Sequence, residues 1–525
     1  MAKIRDISTE FLNDLFKKGL NSWYWDTIIP HFYSPDLKNT RIKNGTMTIR
    51  KWHERFSTST ATTHVRGMSS NAINDELYTV HTSDIFSIDT TTWAQTKLWD
   101  LRNDNNINFV NHNKYVIILD GAGYPMLWDG ATLSTLTSSA IEASANPDKG
   151  VVFADFTVLA GTGAFVNKLY ISRPITATTP ANAYNWDGTN GSDIRDMRSN
   201  ILWLASTNNM LVIFTEDSIE TMDRTSVVTV GWDSVLVPTA IAEWDQVASQ
   251  KSIVAAGDMI FFLTKDKQIK TVNYVSWVTS QTVGTLSDRD GESIQNFMNT
   301  LDDDQGDSFG YFNRNENLIK RFLKTKNSNL NDICLVWDLI NKTRLVDENK
   351  YFSGSVVKDN VYYTWSFLNW DVYIDETDTD DDTDAIARYR WTPMMTIGDP
   401  FTRKVFRGFG VAWQINDLWS FNIDVYVDWE IIQSKTISGG WLDFALAGLG
   451  ITGYQIAWEP IAWDINPEID ALRPFFKKIS KWNMRSKWKY VQIKFYWDTL
   501  STRLALETAS LDYKPIGDIS SSNKL

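Results

Sequence analysis

Three aspartates at alternate positions, Asp378, Asp380 and Asp382, sit in the acidic run Glu376-Thr377-Asp378-Thr379-Asp380-Asp381-Asp382-Thr383-Asp384. That spacing matches the first half of a calcium loop, in which alternate carboxylates turn toward one cation. The run lacks the mid-loop glycine and the downstream glutamate of an EF-hand, so a loose Ca²⁺ site and a solvated hairpin tip are the readings that remain. Asp302-Asp303-Asp304 reads as a solvated tip. The five histidines, His31, His53, His64, His81 and His112, show no i,i+4 or H-x-H spacing, so they predict no metal cluster. There is no G-x-S-x-G, no P-loop and no G-x-G-x-x-G after a strand. Carboxylate pairs for glycoside cleavage lie roughly 5–10 Å apart in space, a geometry that spacing in sequence does not encode. The expectation is a protein that is not an enzyme and carries no cofactor.

Tryptophan is the anomaly. The chain has 24 Trp in 525 residues, roughly threefold the usual share. Several sit where a tight turn asks for glycine, which reaches positive φ without steric cost. Examples are Asn185-Trp186-Asp187-Gly188, Gly231-Trp232-Asp233, Glu243-Trp244-Asp245, Asn369-Trp370-Asp371 and Asp428-Trp429-Glu430. Trp482 and Trp488 lie in polar turn contexts, and Trp52 in Lys51-Trp52-His53. A genetic code reading UGA as glycine, translated with UGA as tryptophan, produces this pattern, and 27 Gly is low for a turn-rich β protein. Trp93, Trp128 and Trp337 are expected to be true tryptophans; Trp128 and Trp337 continue apolar strands. The competing reading is a genuinely Trp-rich surface, as in sugar-binding proteins. The Trp-Asp dipeptides are not WD repeats, because no Gly-His occurs and their spacing is irregular.

The length allows two or three domains with substantial cores. Net charge is −13, with no basic cluster to form a nucleic-acid footprint. The one cysteine, Cys334, excludes a disulfide framework and falls in an apolar strand, as a buried thiol would. No apolar run approaches a membrane span, and Met1-Ala2-Lys3-Ile4-Arg5-Asp6 lacks a signal-peptide core, so the expectation is a soluble product made in the cytosol without a membrane partner.

The elements predicted to position these residues are almost all strands. Ser8 or Thr9 as cap, with Phe11, Leu12, Leu15 and Phe16 on one face, predicts a helix over residues 7–20. An extended polar arm follows to residue 60. From residue 61 a unit recurs, an apolar strand, a polar hairpin and a second strand ending near Asp. Instances are Leu77-Tyr78-Thr79-Val80, Tyr115-Val116-Ile117-Ile118-Leu119, Met210-Leu211-Val212-Ile213-Phe214, Met259-Ile260-Phe261-Phe262-Leu263 and Val361-Tyr362-Tyr363. Spacings of roughly 40–55 residues are those of four-stranded blades. The expectation is all-β: a β-propeller of about six to eight blades over residues 61–375, then an antiparallel β-sandwich over 376–515 and a disordered tail over 516–525. Unrelated hairpins in sandwiches are the alternative to the propeller. No closing strand for the propeller is identifiable.

With glycine in mind at the anomalous positions, the chain resembles the β-propeller head-completion and packaged-DNA stabilisation proteins of tailed phages. The likeness is carried by Phe32-Tyr33-Ser34-Pro35-Asp36, Arg41-Ile42-Lys43-Asn44-Gly45, Thr48-Ile49-Arg50-Lys51-Trp52-His53 and Arg66-Gly67-Met68. Residues 201–220, 244–264, 335–347 and Lys404-Val405-Phe406-Arg407-Gly408 add to it. Position 52 has Trp where the pattern expects Gly. The resemblance implies a virion protein, assembled in the host cytoplasm, that joins portal to tail and retains packaged DNA. It implies portal and tail proteins as partners and a homo-oligomeric ring through which DNA passes without sequence-specific binding. It supplies no active-site residues. A receptor- or glycan-binding tail protein with Trp platforms is the alternative, and a cellular propeller scaffold a third reading.

Overall fold

The computed structural model describes residues 8–12, 20–21, 34–43, 46–49, 52–57, most of 65–378, 388–395, 402–415, 419–427, 430–439, 475–479, 491–497 and 504–518. Residues 65–378, with the strand Trp52–Ser57, build seven four-stranded antiparallel sheets. Blades 1 to 3 begin with strands Val65–Asn71, Asn108–His112 and Pro147–Phe153. Blades 4 to 7 begin with Ile201–Ser206, Val254–Ala256, Phe309–Asn313 and Phe352–Lys358. Each first strand touches the first strand of the next blade, and that of blade 7 touches that of blade 1. The ring is closed, and the fold is a seven-bladed β-propeller.

Why the second strand of each blade is so apolar follows from this ring. A blade has a neighbour on either side, so both faces of its inner strands are buried and period-2 alternation gives way to a continuous run. Tyr115–Leu119 and Met210–Thr215 are buried at every position. Tyr115, Ile117 and Leu119 pack toward blade 3, while Val116 and Ile118 pack toward blade 1. Likewise Met210, Val212 and Phe214 join blade 5, and Leu211 and Ile213 join blade 3. The outermost strands, such as Gln95–Asp100 and Asp193–Asp196, bury little and are polar. Where inner strands converge there is no room for a side chain. A Cβ on Gly150 would lie 2.6 Å from Val110 and 2.7 Å from Leu119. At Gly354 it would lie 1.8 Å from the Trp365 indole, which covers it from the next strand.

Blade 7 takes its fourth strand from the other end of the chain. Trp52–Ser57 pairs antiparallel with Val372–Asp378, Ser57 opposite Val372 and Trp52 opposite Asp378. Arg55 adds an ion pair to Asp371 at 3.3 Å. This is the closing strand that the sequence did not reveal. Blade 4 carries an inserted hairpin, Val227–Val230 with Asp233–Leu236, between its third and fourth strands.

The remaining strands form the antiparallel sandwich. One sheet is five-stranded, in the order Leu37–Lys38, Arg388–Trp391, Val491–Trp497, Trp419–Val427, Glu430–Gly439. The other is six-stranded, built on the long pair Thr402–Ile415 and Leu504–Asp518 with Thr40–Lys43, Thr46–Ile49, Phe475–Ile479 and Ser8–Leu12.

Two expectations are corrected here. Residues 8–12 are a strand, Ser8 opposite Tyr513 and Leu12 opposite Ala509, not the start of a helix. A fifteen-residue strand offering its backbone groups outweighs a weak helical spacing. The final strand also runs to Asp518, paired with Thr402, so residues 516–518 belong to the sheet and not to a disordered tail.

A chain that starts at residue 61 should leave the Val372–Asp378 edge unpaired. We expect it to unfold at lower temperature and to self-associate on size exclusion, with a peptide spanning residues 1–60 restoring both properties in trans. Unchanged melting and a clean monomer would show that closure does not depend on this strand.

Candidate functional site

The N-terminal arm runs along the outermost strand of blade 6, Thr343–Glu348. Leu20 N–H donates to Arg344 O at 2.7 Å and Asn39 N–H to Val346 O at 2.7 Å. Glu348 N–H donates to the Asn39 side-chain oxygen at 3.0 Å. Asn39 adopts φ 55°, a conformation asparagine tolerates better than most residues. Beside it the Arg41 guanidinium forks onto Asp347, both bonds at 2.8 Å, with the two side chains 5% and 1% exposed. Lys38 pairs with Glu348, and Asn341 donates its amide to Ile42 O at 3.1 Å. A groove of about 600 Å³ lies alongside, between the arm, the short helix Gln295–Thr300 and blade 6. Leu37, Phe297, Ile333 and Tyr351 line it with Lys38 and Asp332.

A second feature lies where the hairpins between first and second strands converge on the ring axis. Those of blades 3 to 6 enclose a polar cavity of about 340 Å³, lined by Asp155, Ser206, Thr207, Asn208, Gly257 and Arg314. Neighbouring hairpins are tied together. Asn209 donates to Asp258 at 3.0 Å, Asn315 to Asn360 O at 2.8 Å, and Arg314 N–H to the Tyr362 hydroxyl at 2.6 Å. The hairpins turn through left-handed residues: Ala154, Gly257, Asn317, Asp359 and Asn360 all have φ between 51° and 62°. In a four-stranded meander the first and third turns lie at the same end. The axial cavity, the blade 4 hairpin and the strand ends Ile171 and Asp193 of blade 3 therefore share one face of the disc. His112, near this end of blade 2, bonds through Nδ1 to the Thr157 hydroxyl at 2.8 Å, and burial holds its pKa below the usual imidazole range.

Charged pins cross the interior between blades. Lys320 and Asp375 pair at 2.6 Å with side chains 1% and 0% exposed, and the Tyr311 hydroxyl donates to the same carboxylate. Arg321 donates to Ser252 O at 2.7 Å, and burial pulls its pKa down to about 9. The sequence held a signal for these that spacing arguments overlook: two cations inside the apolar run Leu318-Ile319-Lys320-Arg321-Phe322-Leu323.

The residues singled out from the sequence do not converge on one site. Asp378 ends the third strand of blade 7, while Asp380 and Asp382 lie outside the described residues. Among the described residues no group of three or more His, Cys, Asp or Glu is arranged to hold a metal ion. Asp302 accepts from Asp304 N–H at 2.8 Å, and Asp303 pairs with Lys267 at 2.7 Å, so this run is a tied loop tip. Cys334 is buried in the third strand of blade 6. Trp128 is buried and donates to the Tyr78 hydroxyl at 3.0 Å, and Arg344 sits over the Trp337 ring at 4.6 Å.

Of the suspected glycine positions, Trp52 and Trp186 fall within the described residues. Trp232, Trp244, Trp370, Trp429, Trp482 and Trp488 lie outside them. Trp52 stands in an extended strand. Trp186 departs from the turn-glycine reading. It is fully buried against Leu127, Leu159 and Tyr170, and its indole N–H donates to Thr157 O at 3.1 Å. Among the described residues, positive φ outside glycine falls on Asn, Asp, Lys, Thr and Ala, never on Trp.

No protein-family model and no curated protein matches the chain. Solved structures that it is similar to include the N-terminal domain of Nup159, at 9% identity and TM-score 0.39, covering 62% of this chain and 95% of that one. A computationally designed protein, Ika8, aligns at 11% identity and TM-score 0.39, covering 62% of this chain and 100% of that one. An S. cerevisiae complex of a dbp5 variant with nup159, gle1, IP6 and ADP aligns at 9% identity and TM-score 0.38, covering 62% and 95%. The fold assignment rests on the strand pairing itself.

Two substitutions test these contacts by thermal denaturation. Arg41→Met removes the bidentate partner of the buried Asp347 and should cost about 3–5 kcal/mol, most of it recovered in the double variant Arg41→Met, Asp347→Leu. Trp186→Gly should cost at least about 3 kcal/mol through the cavity it leaves. A neutral result would restore the turn-glycine reading at position 186.

Proposed function

We propose that the protein is a structural virion component that joins the portal of a tailed phage to its tail and helps to retain packaged DNA. The observation that carries this reading is the path of the N-terminal arm. Within its first 57 residues the chain gives strands to both sandwich sheets, docks on blade 6 and closes blade 7. A part that bears load between two assemblies needs its modules locked together, and the arm provides that lock. The resemblance of the arm and several blades to head-completion proteins agrees with it.

Charge supports the same role. At −13 the chain does not grip phosphate, and acidic subunits around a channel let DNA slide, whereas a basic lumen would hold it. Copies would assemble as a closed ring through heterologous contacts. No catalytic step is assigned, and no cofactor is needed. A tail protein that binds receptors or glycans is the second reading. UGA recoding is retained in this proposal for the six suspected positions outside the described residues, with position 186 encoded as a true tryptophan.

Peptide masses from purified particles, with antibody labelling in electron micrographs, test both points. We expect the protein at the head–tail junction, glycine masses at positions 244, 370, 429 and 488, and a tryptophan mass at 186. Absence from the particle would overturn the connector reading. Tryptophan at all these positions would end the recoding reading.

A further inference from the structure

The five-stranded sheet of the sandwich has one dry face and one half-buried face that opens along its outer strand. Ile423, Val425, Val491, Ile493 and Phe495 point to the dry side and are fully buried. On the other side the register sets two rows across the strands. One row is Tyr389, Tyr496, Asn422 and Thr436; the next is Trp391, Lys494, Asp424 and Ser434. Tyr426 and Ile431 continue the face. Ser434, Thr436 and Ile431 are exposed, Ile431 at 58%, so this side opens to solvent along its outer strand.

Four aromatic rings crowd this face. Trp391 and Tyr426 are 4.8 Å apart between centroids. The Lys494 ammonium lies 5.3 Å from the Tyr389 ring, 5.1 Å from Trp391 and 5.2 Å from Tyr496. The Tyr389 hydroxyl donates to Asp36 at 2.9 Å, which fixes that ring. Directly across from Lys494 stands Asp424, only 7% exposed, and its Oδ1 has no hydrogen-bond partner among the described residues. No ion pair joins Asp424 to Lys494, although they are register partners. A buried carboxylate oxygen left without a donor is destabilising, and a hydroxyl brought by a ligand would satisfy it.

We propose that this face binds a neutral hexopyranose glycan, with Trp391 and Tyr426 as its stacking surface and Asp424 and Lys494 as its polar anchors. The chemistry selects the ligand. Aromatic faces are electron-rich and apolar, and they match the C–H-bearing face of a pyranose ring. Carboxylate and ammonium on adjacent strands offer one acceptor and one set of donors. Vicinal hydroxyls satisfy both, one donating to Asp424 and its neighbour accepting from Lys494. The two charges balance, so an acidic sugar would meet Asp424 and a cationic ligand would meet Lys494. Binding rests on this surface alone and is independent of the connector reading; a sugar-binding connector and a sugar-binding tail fibre would both show it.

The test uses the full chain. Saturation-transfer NMR with methyl glucoside, galactoside and mannoside, followed by calorimetry with cellobiose, maltose and lactose, reads binding directly. At least one sugar should bind, and Asp424→Asn should weaken it by about tenfold or more while leaving the melting temperature equal or higher, because the unpaired charge is gone. A residue held only for structure would lose stability instead. Tyr426→Ala should weaken the same sugar while Ile340→Ala, an exposed position on blade 6, leaves it unchanged. If none of these sugars binds the wild-type chain, or if Asp424→Asn binds as tightly as wild type, the proposal is overturned. If Trp391→Ala abolishes ring assembly while no sugar binds, the face is a protein interface and the proposal is likewise overturned.

Discussion

A sheet that must be covered on both faces and joined to itself in a circle leaves little freedom in its inner strands. Each blade has two neighbours, so each second strand feeds two cores at once. The alternation in Tyr115–Leu119 and Met210–Phe214 therefore divides apolar side chains between the preceding and following blades, not between core and water. The same convergence removes side chains altogether at Gly150. It also moves polar sequence outward, to fourth strands such as Gln95–Asp100. Burial, glycine placement and polarity are thus three consequences of one closed ring.

Closure raises a second problem, because a ring made from one chain has a seam. Here the seam is filled by Trp52–Ser57, and the chain leading to that strand has already been built into the sandwich and pressed onto blade 6. Burying the Arg41–Asp347 pair is costly unless its geometry is good and both partners are hydrogen-bonded, and the bidentate fork meets that demand. Such a pair is specific: it is satisfied in one docking of the arm and penalises the others. Lys320–Asp375 and the Tyr311 hydroxyl act in the same way between blades 6 and 7. The apolar cores hold the ring together, while these buried charges fix which edge meets which.

What could be read before the structure, and what could not, divides along the same line. The second strands are legible because double-sided burial writes them as apolar runs. The closing strand Trp-His-Glu-Arg-Phe-Ser is not, since an outermost strand carries only a weak pattern and its partner lies more than 300 residues away. The arm failed for a related reason. Phe11, Leu12, Leu15 and Phe16 have helical spacing, but backbone pairing with Leu504–Asp518 decides the conformation of residues 8–12. Arg41 and Asp347, 306 residues apart, carry no mark in sequence that they will meet. Asp424 and Lys494 are brought together by register in the same way.

Trp186 shows how a local argument is overruled by a distant one. Asn-Trp-Asp-Gly between apolar segments has the composition of a tight turn, and in a turn an indole would be out of place. The Trp186 ring instead packs between blades 2 and 3, in a space walled by Leu127, Leu159 and Tyr170. The bond from its N–H to Thr157 O takes up the ring's one polar group. Among the described residues, five of the nine left-handed positions outside glycine are Asn or Asp, such as Asn39, Asn317 and Asn360, whose short polar side chains reach that conformation at modest cost. A turn glycine is therefore recognised by the backbone angle it must adopt, and composition alone does not supply that angle. For the tryptophans in the remaining turns the same criterion applies, and codon identity and residue mass decide it directly.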